Sequence, residues 1–431
     1  RAPEDYDVAT NAWPDVVLEM FPRTFAVGAH FGVVLVAHGG PDESAEDGGK
    51  PTEVATFRSD GVYSDGRRPD EVLYTVRAEE DVQRRDFTIN GMLLDPLRGG
   101  GALDESSDLP DLRAAVLDHV GGLADLDAGV IRAIGQAEQR FDEDRLRLLR
   151  AVRFAARFGF EIEPGTKAAM RAMAARIESV SRERVRDELT KMLTEGHARR
   201  AFELLDETGL LAEVLPEIAR MKGVAQPPEF HPEGDVWEQT LRLLAQLPAG
   251  CTRTLAWGAL LHDVGKPPTF RVAERIRFDG HVEVGVAMGA EICRRFRFSN
   301  EETRQVLALI ENHMRFMDVR RMKESTLKRF FRLESFEEHL ALHRMDCMAG
   351  SGYLENWVFV RGRLAALPEE AVRPNPLLTG RELIAAGYRP GPRFKEILHV
   401  IEDEQLEGKI ATVEEAMALV RERFGEAGTR E

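Results

Sequence analysis

Residues 84–92 read RRDFTINGM and residues 143–150 read EDRLRLLR, and no other pair of segments says as much about the chain. The first sets Arg84, Arg85, Asp86 and Asn90 around a short apolar centre. The second sets Asp144 and Arg147 one helical turn apart. Guanidinium groups suit bidentate contact with phosphate, and Asp86 and Asn90, four apart, suit the sugar hydroxyls and a phosphate. Together the two stretches fit a pocket that holds a nucleoside triphosphate by its phosphates and reads its base with side chains. Plainer readings exist. Asp86 at the start of a helix would be an ordinary cap, and an Asp144–Arg147 surface ion pair would contribute only about 0.2–0.5 kcal/mol.

Upstream, Asp5 and Asp7 in EDYDVATNA are separated by one residue. On a strand, such side chains share a face, so the two carboxylates would point at one spot and suit Mg²⁺, which takes oxygen ligands and bridges to substrate phosphates. Glu53 in TEVATF is the candidate third carboxylate, from a neighbouring strand. Solvated loop or strand acids are the alternative for all three.

The 431 residues, 43% apolar and 31% charged, fit a globular protein of two to four domains. No apolar run is long enough to span a bilayer and no secretory signal opens the chain. Cys251, Cys293 and Cys347 are too few and too scattered for a disulfide framework or a C-x-x-C zinc site, which points to a reducing cytoplasm. A formal net charge of −16 argues against wholesale electrostatic capture of nucleic acid. A local basic track remains open: Arg145, Arg147, Arg150, Arg153 and Arg157, then Arg182, Arg184, Arg186 and Lys191. The alternative is an Arg-rich face paired with local acids.

Residues 1–36 read as strand, helix, strand, with Pro14 suited to the first turn of PDVVLEMF. HGGPDESAEDGGKP reads as a lengthened hairpin loop, EVATF as a returning strand, and SDGVYSDGRRPDE as a charged loop able to act as a lever or lid. PLRGGGALDESSDLPDL reads as a second loop-rich insertion. From about residue 133 the pattern is helical nearly to the end. Leu146, Leu149, Val152 and Ala156 keep one apolar face, and Asp144 and Arg147 lie on another. Pro227–Pro228, Pro248, Pro374 and Pro376 mark breaks between helical blocks.

DYDVAT, VGAHFGVVLV, EVATFRSDGVYSDGRRP, RRDFTINGM and EDRLRLLRAVRFAARFGF occur in this order. Together they resemble the class II tRNA nucleotidyltransferases, the CCA-adding enzymes and their bacterial poly(A) polymerase relatives. HPEGDVWEQT, LHDVGK, DCMAGSGYLENW and LLTGRELIAAGYRPGPRF resemble the bacterial branch that carries an HD domain. The resemblance implies an α+β protein. A small mixed α/β, polymerase-β-like nucleotidyltransferase head (residues 1–132) would be followed by a helical neck that reads the base and binds RNA (133–218), an HD-type helical domain (219–350) and a helical tail (351–431). It implies Mg²⁺ on Asp5 and Asp7, CTP and ATP as substrates and the acceptor end of tRNA as partner, with no membrane and no DNA. Arg84, Arg85, Asp86 and Asn90 would hold the nucleotide. Asp144 and Arg147 would read the base, with Arg150 in or near the pocket. Cytosine and adenine both present an amine beside a ring-nitrogen acceptor, whereas uracil and guanine present a carbonyl there, so one Asp/Arg pair accepts the first two and rejects the others. The charged loop at 58–71 takes part in switching from cytidine to adenosine addition in this family. Its presence favours a complete CCA-adder over an A-adding enzyme or a poly(A) polymerase.

Three departures stand out. The family carries a Gly-Gly loop and an Arg-Asp pair before D-x-D, and the sequence begins at Arg1, after that point, so those residues are expected upstream in an active protein. Gly91 stands where alanine is usual, a change read as costing about 1 kcal/mol at a helix position. Arg145 stands where proline is usual, read as harmless near a helix start. Downstream, His262, Asp263, His281, His313 and Asp346 form the HD-type set for a divalent metal. Gln239 occupies the place of a usual histidine ligand and is a poor one, so a second metal there is doubtful and a structural or RNA-docking role is the better reading. A metal phosphohydrolase with a vestigial head and a noncatalytic RNA-binding protein are the readings from other classes.

Overall fold

The computed structural model describes residues 6–25, 32–37, 51–60, 72–97, 109–227 and 234–426. Asp5, the insertion at 38–50, the loop at 61–71 and residues 98–108 lie outside them. The chain divides into two compact units, Arg1–Ala219 with Pro248–Gly250, and Arg220–Leu247 with Cys251–Glu431.

The first unit opens with a four-stranded sheet. Its order is β1 (Asp7–Thr10), β4 (Thr52–Thr56), β3 (Val33–Val36), β2 (Thr24–Phe25). β1 and β4 run parallel; the other neighbours are antiparallel. Side chains alternate across a strand. Val34, Val36 and Val54 fall on one face and pack with Val17 of the helix Pro14–Met20, which starts on its proline. The register that pairs Val8 with Val54 also pairs Asp7 with Glu53. Both acids therefore emerge side by side on the face away from this core, and both are exposed.

Helices dominate thereafter, as the periodicity predicts, with Leu146, Leu149, Val152 and Ala156 all buried. The end of the second insertion is not loop: Leu109–Ala114 is a helix. Asp144 and Arg147 do not share a helical face. Asp144 is extended (φ −143°, ψ 103°) between the helices Ala137–Glu143 and Arg147–Phe158. It accepts the Leu146 N–H at 3.1 Å, which fixes the corner. Arg153, buried on the second helix, pairs at 2.7 Å with buried Glu188 of the helix Arg182–Thr194.

In the second unit, the helix Arg253–Leu261 packs on Asn300–Asn312 and Phe336–Ala349, His281–Arg295 on Asn300–Asn312, and Val236–Leu244 on Phe336–Ala349. Near the end of the chain, Leu378, Leu383, Ile397, Ile401, Ala416 and Val420 form a small core of their own.

Gly91 is not in a helix. It closes the 3₁₀ turn Thr88–Asn90, and a Cβ there would stand 2.7 Å from Val120 Cγ2 and 3.1 Å from both Ile134 and Val82. The helix-interior argument thus has the wrong sign here. Gly91→Ala should lower stability by about 1–3 kcal/mol through overpacking. A melting temperature equal to or above that of the parent would show that Val120 moves aside without cost.

Candidate functional site

A cleft of about 550 Å³ in the first unit is lined by Asp7, Arg84, Arg85, Asp86, Asn90, Asp144, Arg147 and Arg150. These are residues that the sequence assigns to nucleotide and metal, now in one place. Glu53 is beside Asp7 in the sheet, and Asp5 lies outside the described residues.

The arginines are held from behind by an acid that spacing had not singled out. Asp81, 2% exposed on the helix Ala78–Gln83, accepts on Oδ1 from Arg84 Nε (2.9 Å) and Nη2 (2.7 Å). On Oδ2 it accepts from Arg85 Nε (3.3 Å) and Nη2 (3.1 Å). One buried carboxylate thus orients two guanidiniums. The signal was present: Asp81 is three and four residues before the two arginines, the spacing at which helix neighbours meet.

Asp86 is a junction rather than a helix cap. Its Oδ1 accepts from its neighbour Phe87 N at 2.9 Å and from Asn90 Nδ2 at 3.1 Å. Its Oδ2 accepts from Arg150 Nε at 2.8 Å. Burial disfavours the charge on Arg150, but the Asp86 carboxylate, together with those of Glu188 and Asp144, outweighs burial and raises its pKa. Arg147 donates to Arg84 O at 2.7 Å, Arg140 O at 3.0 Å and Glu143 Oε2 at 2.8 Å. Those three bonds leave two of its five N–H donors for a ligand. Asp144 pairs with Arg184 Nη2 at 2.9 Å and not with Arg147, so the surface ion pair between the two does not form. Its carboxylate still has acceptor capacity.

In the basic track Arg147 and Arg153 are buried, Arg157 and Lys191 are exposed, and the others are half-buried. Arg145 donates to Ser179 Oγ, and Arg147, Arg150, Arg153 and Arg157 face Glu143, Asp86, Glu188 and Glu195. Four of these five arginines thus have an acid partner.

The second unit gathers His262, Asp263, His281, His313 and Asp346. Each histidine turns Nδ1 to the backbone carbonyl three residues back, of Ala259, Phe278 and Ile310 respectively, at 2.6–2.9 Å. That points each Nε2 inward. Asp263 Oδ2 is 3.1 Å from His262 Nε2, and its Oδ1 is 3.9 Å from His281 and 3.7 Å from His313. His281 and His313 are thus part of the cluster rather than isolated histidines. Gly265 makes the approach possible: a Cβ there would stand 2.0 Å from the His281 carbonyl oxygen. Burial opposes the charge on His262, but Asp263 and Asp346 outweigh it and hold its pKa up at about 10. Burial pushes His313 down to about 4.

Three family models match along the chain: a poly(A) polymerase head domain at residues 1–132, a probable RNA and SrmB-binding site of polymerase A at 159–222, and an HD domain at 237–343. The chain is 30% identical over 427 residues to a CCA-adding enzyme of Streptococcus thermophilus, covering 98% of this chain and 89% of that one. The chain belongs to the tRNA nucleotidyltransferase and poly(A) polymerase family. It is also 34% identical over 367 residues to an A-adding tRNA nucleotidyltransferase of Deinococcus radiodurans, covering 80% and 79% of the two chains. Its fold matches the crystal structure of the Bacillus stearothermophilus CCA-adding enzyme in complex with CTP. The TM-score is 0.69 at 28% identity, over 97% of this chain and 89% of that one.

In a tRNA nucleotidyltransferase, orienting Arg84 and Arg85 before substrate arrives would avoid reorganisation during the reaction if they meet the phosphates. Asp81→Asn should therefore lower kcat/KM for nucleotide incorporation about ten- to a hundredfold, with circular dichroism unchanged. A value within twofold of the parent would show that the arginines orient themselves.

Proposed function

We propose that this protein adds CMP and then AMP to the 3′ end of tRNA without a template, releasing pyrophosphate. The observation that carries the reading is the single cleft shared by Arg84 and Arg85, which suit the triphosphate, and by Asp144, Arg147 and Arg150, which suit the base. Relatives named for CCA addition, covering nearly the whole chain, support it.

Asp7 and Glu53, exposed side by side on one sheet face, are an all-oxygen pair of the type that suits Mg²⁺. With Asp5 they are the residues to hold it. Bound there, Mg²⁺ would neutralise phosphate charge and favour loss of the 3′-hydroxyl proton. The chain's own groups do the rest. Arg84 and Arg85 take the pyrophosphate end, and Asp86 and Asn90, already bonded to each other, present a polar edge to the sugar. Asp144 accepts from the exocyclic amine of cytosine or adenine, and Arg147 donates to the neighbouring ring nitrogen. Uracil and guanine would set a carbonyl against the Asp144 carboxylate, and a site built around such contacts discriminates strongly. The partner is the acceptor end of tRNA. Free Cys251, Cys293 and Cys347 suit a cytoplasmic setting. Among the described residues, no helix is long and apolar enough to cross a membrane.

A narrower output, A-addition to tRNA already ending in CC, is the second reading, favoured by the likeness to the A-adding relative. Incubation of tRNA lacking CCA with CTP and ATP, separately and together, separates the two. Growth by three nucleotides with both, stopping there, supports CCA addition. Extension only of tRNA-CC supports A-addition, and long A tails support poly(A) synthesis.

Asp144→Ala should lose selectivity, with UTP and GTP incorporated at rates approaching those of CTP and ATP. If the variant kept the parent's preference in steady-state kinetics, base reading would have to sit elsewhere.

A further inference from the structure

The HD cluster has a side that is chemically closed to a metal. We propose that a chain of buried side chains, Lys266–Gln226–Gln239, replaces both the missing ligand and the ion on the side formed by Gln239, His262 and Asp346. Lys266 Nζ donates to Gln226 Oε1 at 2.7 Å and pairs with Asp263 Oδ2 at 2.7 Å. Gln226 Nε2 donates to Gln239 Oε1 at 2.7 Å, and Gln239 Nε2 donates to Asp346 Oδ1 at 2.8 Å.

The direction of this chain is fixed chemically. An amide can ordinarily be turned over, exchanging oxygen for nitrogen. Here an ammonium, which only donates, stands at one end, and a carboxylate, which only accepts when ionised, stands at the other. Both ends demand the same orientation of both glutamines. Gln239 therefore turns its NH₂ toward the cluster, where a ligand would turn a lone pair. Reversing the amides would set the Gln226 NH₂ against Lys266 and the Gln239 oxygen against Asp346. Lys266, Gln226 and Gln239 are 7%, 3% and 1% exposed, so water cannot rescue the mismatched lysine and amides.

The donor set thus fails the test for a metal on this side. Asp263 Oδ2 and Asp346 Oδ1 already hold an ammonium and an amide, and the fourth position offers hydrogens. The other side is untouched: Asp263, His281 and His313 keep ligand atoms within 4.8 Å of one another.

The test uses the full chain, stripped with EDTA, loaded with Ni²⁺, desalted and assayed for bound nickel by mass spectrometry. Imidazole ligands suit Ni²⁺. The parent and Asp346→Asn should hold the same amount, whether none or an amount that His281→Ala removes. Either result supports the closed side. Gln239→His, which restores a lone pair and cuts the chain of bonds, should gain about one further equivalent, and Asp346→Asn in that background should remove it. Nickel held by the parent and lost on Asp346→Asn overturns the proposal. So does a folded Gln239→His that gains none, because the glutamine would then not be what closes the position. If Gln239→His does not fold, the comparison of the parent with Asp346→Asn decides alone.

Discussion

The Asp86 carboxylate is the point on which the cleft of the first unit depends. One oxygen holds the turn that carries Asn90, and the other holds Arg150 on the helix that starts at Arg147. A second tie runs in parallel, from Arg147 to the carbonyl of Arg84. The head strand-and-turn layer and the first neck helix are therefore clamped where the residues proposed for the phosphates meet those proposed for the base. A small shift of the helix would move Arg147 and Arg150 together relative to Arg84 and Arg85, and errors of about 1 Å in such positioning cost about a hundredfold in rate. The clamp is made of charge-assisted bonds from buried Asp86 and Arg147 and half-buried Arg150, which are stronger than neutral ones.

The same economy explains how a chain of net charge −16 can hold four arginines in one cleft. Each has a partner behind it: Asp81 for Arg84 and Arg85, Glu143 for Arg147, Asp86 for Arg150. The acids keep the guanidiniums from repelling one another and fix their direction. Asp81 serves two arginines, so that group of three side chains carries one positive charge more than negative.

How much of this was legible depends on whether the signal is local. The head strands, the first helix and the apolar face of Arg147–Phe158 follow from periods of 2 and 3.6 that burial enforces. The cleft residues were legible because charged and amide side chains around an apolar centre have few structural uses. The corner at Asp144 was not. No glycine or proline lies between Ala137 and Phe158, and the proline usual in this family at position 145 is Arg145 here. The substitution that looked harmless removes the local mark of a helix break, and the Asp144 side chain keeps the break by bonding to Leu146 N–H. Asp81 was passed over for a different reason: an acid on a short helix followed by arginines reads equally as a solvated surface, and only its burial decides.

The HD cluster carries this reasoning furthest. Its five acids and histidines are recognisable along the sequence, and so is the glutamine in place of a ligand. Gln226 is not: it is thirteen residues before Gln239 and forty before Lys266, and no spacing rule connects them. Yet Gln226 decides what Gln239 can do, because it passes the donor-only character of Lys266 on to the amide that faces Asp346. A single substitution at the ligand position would leave a carboxylate pair short of positive charge. With the relay, Asp263 keeps the Lys266 ammonium in a buried place where an unmatched charge would be costly, and Asp346, half-buried beside it, keeps a donor. The fold thereby keeps its helices together without needing an ion on that side.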